Sequence, residues 1–95
     1  MSSAVSKEEV IQMQNTMRKK LHNQYTPLKQ LDSLLKEVAN AIEDDTGLST
    51  KWMTDRQSFF KNETTFYAGR YEICTYRVKY DSQRNAFLIT EVESN

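Results

Sequence analysis

One cysteine, one proline, two glycines and one histidine stand among 95 residues, and each scarcity closes off a class of protein. A lone Cys74 cannot close an internal disulfide, and with only His22 beside it there is no zinc-ligand set. Two glycines leave no glycine-rich RNP-type string and no pair of glycine-rich flaps. Charge of one sign is also missing in excess. Thirteen basic and thirteen acidic side chains cancel, so no overall field draws the chain to nucleic acid or anionic lipid. The longest apolar run, Ala86-Phe87-Leu88-Ile89, is far below the roughly 18 residues of a membrane span or the 7 to 15 of a signal-peptide core. The expected protein is soluble and cytoplasmic, with the nucleus left open.

What is present fits one domain, since domains commonly run from about 50 to 200 residues. At 38% hydrophobic residues and a mean hydropathy of −0.75, its core is thin. Residues 1–5 read as a loose tail, and residues 6–95 as a single α+β domain, helical over 6–46 and β over 64–93. Ser6-Lys7-Glu8-Glu9 has the spacing of a capping box. Glu8 and Glu9 suit a helix N-terminus, and Arg18, Lys19 and Lys20 suit its far end. Thr26-Pro27 marks a second start, with threonine as cap and proline at the first helical position. Gly47 suits the C-cap, with Leu48 as the contact after it.

Val10, Gln14, Met17, Leu21, Gln24, Leu28, Leu31, Leu35, Val38 and Ile42 follow at alternating steps of four and three, a heptad stripe that does not slip at Pro27. The unbroken register favours one long helix kinked at Pro27; the alternative is two helices folded back as a hairpin. Residues 50–61 read as a short third helix, because Trp52, Arg56, Phe59 and Phe60 share a helical face. After Asn62 the period becomes two. Residues 71–80 and 86–93 read as an antiparallel hairpin pairing Tyr80 with Phe87, Val78 with Ile89 and Tyr76 with Glu91. Ile73, Thr75, Arg77 and Lys79 then share the opposite face with Leu88, Thr90 and Val92. Residues 64–68 add an edge strand, turned by Gly69. The expected fold is helices followed by a two- or three-stranded antiparallel meander.

Chemistry is sparse. Asp45-Thr46-Gly47 matches the aspartic-protease triplet, but it follows a helical stripe, where a helix end explains it better. Glu43, Asp44 and Asp45 lack further acids at the spacing of a cation-binding loop. Cys74 and His22 would make a nucleophile and base only in contact, and Cys74 shares a strand face with Tyr76 and Val78, as a buried thiol would. Asn62-Glu63-Thr64 is a glycosylation sequon without an export signal. The expectation is a non-enzymatic protein without metal or cofactor. It would bind protein, as a homodimer or one subunit of a heteromeric assembly, through Val10, Gln14, Met17, Leu21, Gln24 and Leu28. Leu88 and Val92 would add a β-edge. The alternative is a single-stranded nucleic-acid binder that uses sheet aromatics together with Arg77 and Lys79.

Overall fold

The computed structural model describes residues 6–58 and 60–92. Its elements run α1 (Lys7–Leu21), β1 (Gln24–Thr26), α2 (Leu28–Thr46), β2 (Lys51–Ser58), β3 (Lys61–Ala68), β4 (Tyr71–Asp81) and β5 (Ala86–Val92). The expected tail at 1–5, Phe59 and Glu93 lie outside the described residues.

Local chemistry sets the helix ends. Glu9 N–H donates to the Ser6 hydroxyl and Ser6 N–H to the Glu9 carboxylate, both at 3.1 Å, so the capping box forms. α1 stops at His22 and Asn23, where Asn23 takes a left-handed φ of 59°, a conformation that asparagine tolerates better than most residues. That turn feeds a three-residue strand, not a continued helix, so the kinked long helix does not form. Pro27 is itself the N-cap of α2, with no side-chain cap bond, and Thr26 is buried in β1. Proline's fixed φ and missing donor suit the boundary, and the helix begins one position later than expected. At the other end Gly47 adopts φ 74° and returns its N–H to Glu43 at 2.8 Å; the Asp-Thr-Gly triplet is a helix C-cap.

The two helices are antiparallel. Gln12 donates to Asp45 at 2.8 Å, and Lys20 lies 3.9 Å from Glu37, so eight residues forward along α1 match eight residues back along α2. Their inner faces are Val10, Met13, Met17 and Leu21, and Leu31, Leu35, Val38 and Ile42. The stripe expected across Pro27 therefore divides between two helices. Met13 is fully buried, whereas Leu28 is 57% exposed, so the continuity of register through residues 21–28 is coincidental.

The sheet has five strands in the order β1-β5-β4-β3-β2, all pairings antiparallel, more than the two or three expected. The β4–β5 register is the one read from the sequence: Tyr80 opposite Phe87, Val78 opposite Ile89, Tyr76 opposite Glu91. Residues 50–61 form no helix. Lys51–Ser58 is a strand pairing with β3, with a register shift between Arg56 and Ser58. Trp52 and Arg56 are four apart, which suits either a helical face or one side of a strand. β3 lies inside the sheet and not at its edge, and so does β5, which pairs with β4 on one side and with β1 on the other.

One face of this sheet is covered. Phe66, Ala68, Ile73, Tyr76, Val78, Phe87 and Ile89 are buried with the inner faces of the two helices in a single core. Ile73, expected on the outer face, belongs to that core because β4 is irregular there. Phe66 pairs with Cys74 and Tyr67 with Glu72, which leaves Ile73 without a ladder partner, and a bulged residue is re-aimed relative to strict alternation. Phe66 meets Tyr76 edge-on at 6.2 Å between ring centroids, a favoured aromatic geometry. Across the other face, Thr65 and Thr75 share a 2.9 Å hydrogen bond and Arg77 binds Glu63 at 3.1 Å.

Leu35, 2% exposed at the middle of α2, tests this layer. Leu35→Ala is expected to cost about 2–5 kcal/mol in a urea titration, a large part of the roughly 5–15 kcal/mol that holds a domain folded. A loss below about 1 kcal/mol would mean that α2 does not seat on the sheet as described.

Candidate functional site

Three surfaces are candidates: a polar notch beside β4, an apolar recess at the start of α2, and the outer edge of β2.

The notch is lined by Gln14, Arg18, Tyr71, Glu72, Cys74 and Glu91 among others and encloses about 570 Å³. α1 supplies Gln14 and Arg18 one turn apart, and β4 and β5 supply Cys74, Tyr76 and Glu91 by their cross-strand register. The groups satisfy one another. Arg18 grips Glu91 with two nitrogens, at 2.9 and 3.2 Å, and this hydrogen bond, ahead of the charge attraction, raises the guanidinium pKa further. Tyr76 donates to the same carboxylate at 3.3 Å. Gln14 donates at 2.9 Å to the carbonyl of Ile73, the residue left out of the ladder, so the amide is a structural seal for the bulge.

The thiol is quiet. Cys74 donates to Met17 Sδ at 3.1 Å, and burial pushes it up to about 12, only partly opposed by Tyr76. Burial also raises the Tyr76 phenol, reinforced by Cys74 and Glu91. A nucleophilic cysteine requires the opposite shift, toward a thiolate at neutral pH. His22 does not reach it. The His22 backbone N–H caps α1 by donating to the Arg18 carbonyl at 3.1 Å, and its Nδ1 accepts a long 3.4 Å contact from Glu91 N–H on β5. Among the described residues there is no group of three or more His, Cys, Asp or Glu able to hold a metal ion. Asp44 and Asp45 sit in the last turn of α2, and Asp45 is taken by Gln12.

The recess, about 400 Å³, is lined by Pro27, Leu28, Lys29, Phe60, Tyr80, Asn85 and Phe87. Tyr80 stands at its centre, its ring 5.7 Å from Phe60 and 5.4 Å from Phe87. Its hydroxyl donates to Asn85 at 2.6 Å.

The third surface was not legible as such. β2 lies at the end of the sheet order, and along it only Trp52 is half-buried while every other residue is exposed, Met53 to 68%. Trp52 turns toward the covered side and meets Phe66 at 6.2 Å; Thr54 shares a 3.1 Å hydrogen bond with Thr64. Lys51, Met53 and Asp55 alternate with these on the open face. The opposite end of the sheet is blunter, because β1 has three residues and carries Tyr25 beneath the Arg84 guanidinium at 4.5 Å.

The residues expected to bind a partner are scattered by the fold. Val10, Met17 and Leu21 are at most 6% exposed within the chain's own core, and Gln14 is tied to Ile73. Gln24 is exposed in β1 opposite Ile89, and Leu28 is exposed at the recess. Leu88 and Val92 are half-buried on an interior strand, Leu88 between Tyr25 and Lys79, Val92 opposite Thr75. The basic and aromatic residues of the alternative reading are mostly divided between the faces: Arg77 and Lys79 stand on the open side with Tyr67, while Tyr76, Tyr80 and Phe87 stand on the covered side. The sequon lies inside β3, with Thr64 1% exposed.

Cys74 makes the notch testable. At pH about 8 its reaction with iodoacetamide is expected to run at least about a hundredfold slower in the folded chain than in denaturant; a fast native reaction would reinstate a reactive thiol. The folded chain also holds the Cys74 and Tyr76 protons to higher pH than the unfolded chain. The stability this confers is intact below the ordinary thiol pKa of 9.0 and is lost as pH rises toward about 12. Unfolding free energies from urea titrations are expected to fall with a slope of up to about 1.4 kcal/mol per pH unit for each group, and Cys74→Ala to flatten the fall from its lower end.

No helix among the described residues is long and apolar enough to cross a membrane. Compared with known proteins, the chain matches no family model, no curated protein and no solved structure.

Proposed function

We propose that this chain is a non-enzymatic protein-interaction module of the cytoplasm whose binding surface is the outer edge of β2. The observation that carries the reading is the edge itself. Lys51–Ser58 contains neither proline nor glycine, is exposed at all but one position and sits at the rim of the sheet. An outer strand presents unpaired N–H and C=O groups to any chain that can lie alongside, and adding a strand to such an edge is a common mode of recognition. Mixed charge at Lys51, Asp55 and Arg56 guards against indiscriminate pairing and leaves scope for a selected partner.

The rest of the molecule supports the assignment. Most of the heptad stripe of α1 and α2 is used inside the core, which leaves only Gln24 and Leu28 of it exposed. The notch holds paired groups and a thiol kept protonated by burial, which is poor ground for catalysis. An unpaired thiol also suits a reducing compartment. Separation of Arg77 and Lys79 from the buried aromatics weighs against base stacking on the sheet.

A photoreactive benzophenone side chain at position 53, in the full chain expressed in cells, is expected to give covalent protein adducts. The same group at Tyr71, which is 50% exposed but lies on β4, is expected to give none. Equal labelling from both positions, or none from position 53, would overturn the reading. Tight binding of a mixed oligonucleotide, below about 100 μM at low salt, would favour the nucleic-acid alternative instead.

A further inference from the structure

We infer that the partner of β2 is a second copy of this chain, paired antiparallel about a two-fold axis at Met53. This deepens the proposed reading of β2 as a binding edge and rests on it.

Two identical strands lying antiparallel are related by a two-fold axis perpendicular to the sheet. Directly opposed residues in such a pair point to the same face, whereas neighbours along one strand point to opposite faces. The axis must therefore pass through a residue position, not between two. The register shift between Arg56 and Ser58 interrupts the strand at its far end, so the regular stretch is Lys51 to Arg56 and four centres fall within it.

An axis at Asp55 sets each Asp55 against the partner's Asp55, and like charges directly opposed are unfavourable. At Thr54 it sets Lys51 against Gln57, in the irregular stretch, and leaves Asp55 opposite Met53. At Trp52 it carries Asp55 beyond the start of the partner strand. At Met53 every pair falls between Lys51 and Asp55. Each Lys51 then faces the partner's Asp55, the two exposed methionines face each other on the same side of the sheet, and each Trp52 faces the partner's Thr54 on the other. Of the four, this register alone opposes unlike charges, and it does so twice by symmetry.

Space permits it. Thr54 and Arg56 are exposed on the side of the sheet that carries the helices, so the helix layer does not overhang this part of β2. The two five-stranded sheets then join into one. Two Met53 side chains, each 68% exposed in the single chain, leave water together.

Light scattering on the full chain over a concentration series tests this. The expected mass at high concentration is twice 11.2 kDa. Lys51→Asp and Asp55→Lys are each expected to weaken the dimer at least about tenfold by placing like charges in opposition, and the double exchange K51D/D55K to restore it. Met53→Cys is expected to form a disulfide-linked dimer on mild oxidation, while Tyr71→Cys does not. These positions are exposed, and circular dichroism should show unchanged folding. A single-chain mass up to about millimolar concentration, or single exchanges that dimerise like the parent, would overturn the second copy as partner. If the position-53 adducts are then heavier than twice the chain mass, the edge binds a different protein and the broader reading stands; if there are no adducts, both fail.

Discussion

A single apolar layer between two antiparallel helices and one face of the sheet governs the rest of the molecule. A chain of this size buries only about 60–65% of the surface it exposes when unfolded, and here that burial is concentrated on one side. Val10, Met13, Met17 and Leu21 from α1 and Leu31, Leu35, Val38 and Ile42 from α2 close over Phe66, Tyr76, Val78 and Ile89. The helices do not cover the far face, and along β2 only Trp52 packs against their core while the other residues are exposed. An open face and a bare rim follow from covering five strands with two helices.

The layer needs sealing where it meets solvent, and the polar groups around β4 supply this. Extra backbone at Ile73 lets both Ile73 and Cys74 contribute to the core, at the cost of a carbonyl without a strand partner, and Gln14 satisfies it. Arg18, Glu91 and Tyr76 close the same margin by binding each other. A polar concavity containing a cysteine, a tyrosine, an arginine and a glutamate looks reactive as an inventory. Its hydrogen bonds show a margin in which each group already has a partner, and burial holds the thiol and phenol in their neutral forms.

Legibility in the sequence followed how local each determinant is. The Ser6–Glu9 capping box and the Gly47 cap depend on a few neighbouring residues and are legible from them alone. The β4–β5 register is legible residue for residue, because a polar turn joins two strands with alternating apolar positions. The heptad stripe misled at its centre: Gln24 and Leu28 continue the spacing only because the turn through Asn23 and Pro27 occupies the same number of residues. The helical pattern over β2 has a physical cause. An edge strand exposed on both faces has little burial to impose alternation, so the four-residue spacing of Trp52 and Arg56 was the strongest pattern left. Its character as an edge could not be read from its own residues at all, since an edge is defined by the strand that is absent beside it.

The three-residue strand between the helices has a kinetic consequence. β1 closes the sheet by pairing Thr26 with Phe87 and Gln24 with Ile89, more than sixty residues later in the chain. During synthesis both helices leave the ribosome before the strands they cover, and β1 waits for the last strand of the sheet. Contacts so distant in sequence slow folding, because the entropy of closing a long loop is lost before the contact repays it. The apolar faces of α1 and α2 are therefore exposed together while the strands they cover are still being made. Their early antiparallel contact with each other is the available shelter until β4 and β5 arrive.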